Sequence, residues 1–309
     1  MKDFSSWRTK RRYFQDYNYN AMWYNLKTIR LGFKSPKELP PDCSEFYDIA
    51  LGTKCNLNCP FCYAEASTKG VFFKDVVAKA KYFFGQMDDN QKPFQVAIGS
   101  SGEPTIHPEF IEFLEVLFNM GIVPNYTTNG ITIAENSING LLDATEKYCG
   151  GVAVSFNTFN TNVVVKSVAA ICKLLKCDVH TNIHCIISDE NSINDLKTIW
   201  NLFNDDIHTY VLLPMMKHGR SNIGMTNEAF LKLRKFFSEI PYDSRSHFAL
   251  GANFYPYLIN QKEEDGYVIQ CSLYEPESFS KNLIFDDVIK ITPSSFNTKT
   301  VLYEKPFYN

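Results

Sequence analysis

Between Glu45 and Pro241, short apolar runs alternate with longer stretches in which apolar positions recur every three or four residues. A short run bounded by turn residues reads as a buried strand, and the longer recurrence as one face of a helix. Residues 46–51 form a first strand. Residues 71–84 form a helix, with Val76, Val77, Ala80, Phe83 and Phe84 on its apolar side. A second strand spans 94–99. The helix at 108–120 has Pro108 in its first turn and Gly121 as its C-terminal cap. A third strand, 123–128, ends at the Asn129-Gly130 turn signal, and a third helix spans 137–148. Strand four is 151–156 and its helix 162–175. Strand five, 179–187, leads through Ser188 or Asp189 as a cap into a helix that reaches Phe203. Residues 209–213 and 227–237 complete a sixth pair.

Strands alternating with helices predict a parallel sheet, because each helical crossover returns the chain to the same edge. Six such pairs predict an α/β fold: a partial parallel (β/α)6 TIM-like barrel over residues 46–240. Residues 1–45 lack this periodicity and read as an N-terminal arm. Residues 241–309 change pattern, with short β segments at 247–257, 267–273 and 281–284. They read as a small C-terminal α+β extension covering the barrel mouth.

Composition narrows the function. The 309 residues are 45% hydrophobic and carry a net charge of -3, which supplies a sizeable core and no electrostatic pull toward nucleic acid or anionic membrane. In the arm, Arg8, Lys10, Arg11 and Arg12 precede Tyr13, Phe14, Tyr17, Tyr19, Trp23 and Tyr24. Basic residues among aromatics can stack on bases, but aromatics covering the barrel's edge are the plainer reading. No apolar run approaches the ~20 residues of a membrane span, and the first residues lack the apolar core of a signal peptide. Nine cysteines without a framework spacing fit a reducing compartment, so a cytoplasmic location is expected.

Three of those cysteines change the picture. Cys55, Cys59 and Cys62 stand at C-x3-C-x2-C spacing directly after strand one, with Phe61 before the last. Thiolates bind a four-iron cluster one per iron, so three cysteines leave one iron open. A structural zinc site would use four closed ligands. In parallel barrels the strands' C-terminal ends carry function. Order along the chain brings three further groups to that face: Gly99-Ser100-Ser101-Gly102-Glu103-Pro104 after strand two, Tyr126 to Gly130 after strand three, and Ser155 with Asn157 after strand four. Exposed carbonyls and Glu103 favour an ammonium group. Thr128, Asn129, Ser155 and Asn157 offer polar contacts, or serve only to cap their loops.

The cysteine loop resembles that of the radical S-adenosylmethionine (SAM) superfamily. Gly102-Glu103-Pro104 resembles that family's GGEP motif with Ser101 in place of the first glycine, and Thr128-Asn129-Gly130 a common strand-three ending. The resemblance covers roughly residues 46–215. It implies that Cys55, Cys59 and Cys62 hold three irons of a [4Fe–4S] cluster, with SAM's methionine on the fourth. It places the backbone around Ser101, Gly102 and Glu103 at the SAM amino group, and Ser155 and Asn157 at its ribose or carboxylate. Phe61, Ile186, Leu213 and Met215 would flank the adenine, with Thr128 and Asn129 also at the cofactor. It implies an enzyme that cleaves SAM reductively to a 5′-deoxyadenosyl radical, which takes a hydrogen atom from a peptide, nucleotide or small metabolite. The electron would come from a flavodoxin or ferredoxin.

Substrate contacts are expected from Lys217, His218 and Arg220 after strand six, three cations able to meet a phosphate or carboxylate. Cys271, alone in the extension, reads either as a small apolar residue or as a hydrogen-atom donor to a substrate radical. His180 and His184 share a face of strand five. Two rival classes stand beside the enzyme: a non-catalytic Fe–S or zinc-binding protein, and a regulatory SAM-binding protein.

Overall fold

The structure, a computed structural model, describes residues 10–17, 19–24, 27–31, 38–177, 179–258 and 280–307. The chain opens on an antiparallel ribbon, β1 (Arg11–Phe14), β2 (Tyr19–Tyr24) and β3 (Lys27–Arg30). Six strands follow at the predicted places: β4 (Phe46–Ala50), β5 (Gln95–Ile98), β6 (Val123–Thr128), β7 (Gly151–Phe156), β8 (His180–Ile187) and β9 (Thr209–Pro214). They lie side by side in sequence order, all parallel.

Two later strands extend this sheet. β10 (Phe248–Leu250) pairs parallel with β9, and β11 (Ser280–Phe285) pairs parallel with β4. Eight parallel strands therefore stand in one sheet, and β12 (Val288–Thr292) and β13 (Tyr303–Pro306) add antiparallel pairs beyond β11. β10 and β13 are its two free ends, so the sheet does not close. Within the expected β segment 247–257, only β10 is strand, and a short helix, α8 (Tyr255–Leu258), follows it. Segment 267–273 lies outside the described residues.

One sheet face is covered by helices. α1 (Val76–Gly85), α2 (Phe110–Asn119), α4 (Leu141–Tyr148), α5 (Thr161–Leu174), α6 (Glu190–Phe203) and α7 (Asn227–Glu239) follow successive strands, with α3 (Ile131–Glu135) ahead of α4. On α2, Phe110, Phe113, Leu114, Val116 and Leu117 are buried. Each such side chain contributes about 1.5–3 kcal/mol when removed from water. Burial alternates along β8: Thr181, Ile183, Cys185 and Ile187 face the helices, whereas His180, Asn182, His184 and Ile186 are half-buried on the inner face.

Two helix boundaries depart from the periodicity. α1 starts at Val76 because residues 71–73 pair back with the first loop: Val71 O accepts from Thr53 N at 2.8 Å, and Phe73 N donates to Leu51 O at 3.0 Å. The expected helix at 137–148 starts late, as α4 at Leu141 after left-handed Gly140 (φ 75°), and an unexpected α3 precedes it and ends where Asn136 takes a left-handed conformation (φ 52°). Asp189 caps α6 in a reciprocal capping box with Ser192.

Several of the N-terminal basic and aromatic residues are structural, whereas Arg11 and Tyr13 are exposed. Arg12 is fully buried and donates to the carbonyls of Cys43, Ser44, Asn90 and Gln91 at 2.7–3.2 Å. Tyr19 and Trp23 are buried in a small core with Leu39, Phe94 and Val123. No helix among the described residues is long and apolar enough to cross a membrane.

Candidate active site

The loop after β4 folds back on itself. Cys55 N donates to Ser67 O at 2.9 Å and Ser67 N to Thr53 O at 3.1 Å, a parallel bridge between Lys54 and Ser67, so residues 53–55 and 67–71 form a neck. The neck holds Cys55, Cys59 and Cys62 at the C-terminal end of the sheet, each half-buried and with a free thiol. Partial burial pushes the Cys55 thiol up to about 12 and the Cys59 thiol up to about 11. Such thiols keep their protons at neutral pH until a metal displaces them. Among the described residues no three His, Cys, Asp or Glu side chains converge on one point, as a single ion would require.

The β5 loop locks onto this neck. Gly102 has φ 74°, and a Cβ there would lie 2.7 Å from Lys54 O and 2.8 Å from Gly52 O. Only glycine permits that approach. Glu103 N donates to Lys54 O at 2.9 Å. The Glu103 carboxylate is buried and accepts from Thr105 Oγ1 (2.6 Å), Thr105 N (3.3 Å), Thr128 Oγ1 (2.7 Å) and Asn129 N (2.8 Å). Burial pushes its pKa up, and those donors pull it back only in part. Glu103 therefore ties the ends of β5 and β6 together. Its carboxylate is engaged with protein donors, which leaves backbone as what this loop offers an ammonium group. Asn129 completes the tie, donating from Nδ2 to Asn56 Oδ1 in the cysteine loop at 2.6 Å.

Arg220 comes from far along the chain to the same loop. Its Nε donates to Cys59 O and an Nη to Ala66 O, both at 2.8 Å, and its backbone N donates to Cys62 O at 3.1 Å. Gly219, at φ 61°, passes so close that a Cβ would stand 2.5 Å from Cys62 O and 2.3 Å from Tyr63 O. The cysteine loop is thus a partner of Arg220, a role not expected from sequence. Arg220→Ala leaves Cys59 O and Ala66 O without their donor. We expect about 10–100-fold faster iron loss to a chelator, read as iron per chain over time, with Arg220→Lys between it and the unaltered chain.

The remaining sequence candidates distribute around this frame. Phe61 meets Phe159 edge-on at 5.6 Å. Ser101 is half-buried beside Gly102, and Ser155 lies half-buried at the end of β7 with buried Asn157 just beyond. Ile186 and Leu213 are paired across β8 and β9, and Met215 is buried after β9. The Thr128 hydroxyl points to Glu103, so Thr127 and not Thr128 occupies the inner face at that level. Lys217 and His218 are exposed, and His218 meets Phe296 edge-on at 5.7 Å. Phe296 also stacks on Tyr63 at 4.5 Å, so the turn after β12 reaches the cysteine loop. Cys271 lies outside the described residues.

Sequence reading missed Asp48. It sits on the inner-face side of β4, the one charged residue in an apolar strand, and that exception was the available signal. Desolvation raises its carboxyl from 3.8 to about 7. Below about pH 4 the group is protonated in folded and unfolded chains alike and has no effect on stability. Between about pH 4 and 7 only the unfolded chain ionises it, so stability falls with each unit; above about 7 the loss is constant. Asp48→Asn removes that loss. At about 1.4 kcal/mol per unit, denaturant curves should show a gain of at most about 4 kcal/mol at pH 8, shrinking toward nothing at pH 4.

Comparisons with known proteins meet this geometry. The sequence model of the radical SAM superfamily matches residues 49–182. A curated relative, 7,8-dihydro-6-hydroxymethylpterin dimethyltransferase of Methanocaldococcus jannaschii, is 28% identical over 87 residues, covering 28% of this chain and 17% of the relative. Streptococcus suis SuiB bound to S-adenosylmethionine superposes with a TM-score of 0.62 at 15% identity, covering 86% of this chain and 63% of that one. The anSMEcpe structure with bound AdoMet gives 0.56 at 16%, covering 82% and 75%. At these identities the solved structures establish a shared fold. The chain spans less than two thirds of the SuiB chain and a small part of the archaeal relative.

Proposed function

From the premise that residues 49–182 carry a radical SAM superfamily domain, whose cofactors are a [4Fe–4S] cluster and SAM, we propose that this chain is a radical SAM enzyme acting on a substrate held inside the curve of its sheet. The observation that carries the reading is the single hydrogen-bonded frame around the three cysteines. Lys54, Cys59, Cys62 and Ala66 offer carbonyls to Glu103 and Arg220, and Asn56 bonds Asn129. An electron-transfer or zinc module needs no such frame drawn from three loops.

Cys55, Cys59 and Cys62 would hold three irons. Backbone carbonyls of Ser101 to Glu103 would receive the SAM amino group, and Ser155 and Asn157 the ribose or carboxylate. Phe61, Ile186, Leu213 and Met215 would flank the adenine. When bound, the cluster and SAM supply reductive cleavage of SAM and hydrogen-atom abstraction. The protein's part is to orient the substrate carbon, exclude water and hold the cysteine loop rigid through Arg220 and Asn129. A flavodoxin or ferredoxin serves as electron donor in this reading.

The relatives do not fix a substrate. One is named for a pterin, while SuiB has been solved with the precursor peptide SuiA. The chain's own inner-face residues must therefore choose it. Anaerobic reconstitution tests the reading. We expect about four iron and four sulfide per chain, and 5′-deoxyadenosine on reduction with SAM. Zinc in place of iron would return the rival metal-binding class. A cluster without deoxyadenosine would leave a non-catalytic Fe–S protein or a regulatory SAM-binding role.

A further inference from the structure

Beneath the proposed SAM face, at the opposite end of the strands, the inner face borders a half-open cavity of 260 Å³. Its polar walls are Gln95, Asn125, His180, Asn182, His184 and His208. Gln95 and His180 are the first residues of β5 and β8, which places the chamber at the N-terminal ends of the strands. It reaches up to Thr127 and His184, and His184 is the register partner of Ser155. Small residues, Ala97, Gly151 and Ala153, keep the middle open.

The lining restricts what fits. Among the described residues, no Lys, Arg, Asp or Glu contributes to the walls. An anionic ligand would lose its hydration there and gain no counter-charge from these walls, and the Asp48 carboxyl stands on the inner face in register with Ala97. Burial pushes His184 down to about 4, so this imidazole is neutral at pH 7. A purely apolar ligand is equally disfavoured, because three carboxamides would lose water without replacement. Asn182 Oδ1 is already buried with no hydrogen-bond partner. Asn125 Nδ2 donates to Gln95 Oε1 and Val96 O, both at 3.1 Å, which fixes the Gln95 amide with its oxygen engaged. The His180 and His208 rings lie 4.3 Å apart, one over the other and tilted by 32°, and add aromatic surface to the wall. The volume falls just below the roughly 300–1,000 Å³ of whole small-molecule sites, and suits one end of a larger molecule.

We propose that this chamber holds the substrate's head group, a neutral planar heterocycle with adjoining hydrogen-bond donors and acceptors, of the nucleobase or carboxamide type. On binding, Asn182 turns its Oδ1, otherwise buried and unpartnered, to accept from an N–H of that ring, and the Gln95 amide N–H donates to a ring carbonyl. The rest of the substrate extends upward past His184 to the cysteine face. This assignment rests on the radical SAM reading, since the ligand it places is that enzyme's substrate.

Equilibrium dialysis of the reconstituted protein tests it, with SAM saturating so that the adenine site is filled, and without reductant. The probes are guanine, uracil and nicotinamide, with benzoate and toluene as charged and apolar controls. We expect one of the three probes to bind at one per chain and neither control to compete. Asn182→Leu should weaken that binding by at least about 10-fold, with iron content and SAM binding unchanged. Gln95→Met gives a second reading should Asn182→Leu fold poorly. Absence of binding by all three probes, equal binding of a control, or indifference to both substitutions overturns the proposal. The assay needs no turnover, so a chain that binds a probe but makes no deoxyadenosine would fail the enzyme reading alone.

Discussion

Cys59→Ala leaves the reconstituted protein with well under four iron per chain and no detectable 5′-deoxyadenosine. The expectation follows from what the loop provides. Three thiols are presented by one neck, half-buried, with no fourth Cys or His among the described residues converging on them. Removing one leaves two anchors for a four-iron cluster. The same measurement on Cys55→Ala and Cys62→Ala should give the same loss. The scattered cysteines supply the contrast. Cys149 and Cys185 are buried on separate strands' approaches, Cys172 is exposed on α5, and Cys43 lies beside the N-terminal ribbon. A chain with Cys43, Cys149, Cys172, Cys177 and Cys185 all changed to alanine should keep its full iron and sulfide and its reduced-cluster electron paramagnetic resonance signal. Iron lost from that variant would reveal a second cluster and undo the single-cluster reading. Alanine at the buried positions costs only modest packing, since free cysteine behaves there as a small apolar residue.

Local signals made the central strands legible. β6 and β7 stand where alternating apolar runs placed them, because each is bounded by turn residues and buried on its helix side. What escaped was non-local. The pairing of β11 with β4 joins residues more than two hundred positions apart, and no window of sequence carries that register. The start of α1 was hidden for the same reason, since residues 71–73 are held by the cysteine loop and not by helix propensity.

The site divides in a similar way. The cysteines and Gly102 were legible because their chemistry is local: three thiols at fixed spacing, and a glycine that a close approach requires. Arg220 was legible as a cation but not in its role, because its partner Cys59 lies 161 residues earlier. The inner-face amides were invisible as a group. Gln95, Asn125 and Asn182 belong to three strands, and only the curvature of the sheet brings them to one chamber. Single polar residues on buried strands are thus the class of signal that periodicity alone undervalues.

Glu103→Ala should destabilise the chain by about 3–5 kcal/mol, a loss on the scale of breaking a buried ionic contact. The carboxylate is buried and all its recorded partners are donors: Thr105 Oγ1, Thr105 N and Thr128 Oγ1 on one oxygen, Asn129 N on the other. Truncation leaves those donors facing a void, and each buried donor left unmade costs about 1–3 kcal/mol. Glu103→Gln is the sharper variant. Its amide oxygen can keep the Thr105 and Thr128 hydroxyls, but its NH₂ then opposes Asn129 N–H, so a loss of about 1–3 kcal/mol is expected. The damage should also reach the cofactor. Asn129 is held at its backbone by Glu103 and reaches Asn56 of the cysteine loop with its side chain. SAM binding should therefore weaken in Glu103→Gln even where iron content is preserved. A double-mutant cycle with Thr128→Val separates this from general loosening. Because Thr128 donates to the altered group, the two substitutions should couple by about 0.5–3 kcal/mol in anaerobic denaturant unfolding. Additive effects would mean that Glu103 acts through bulk and not through this network.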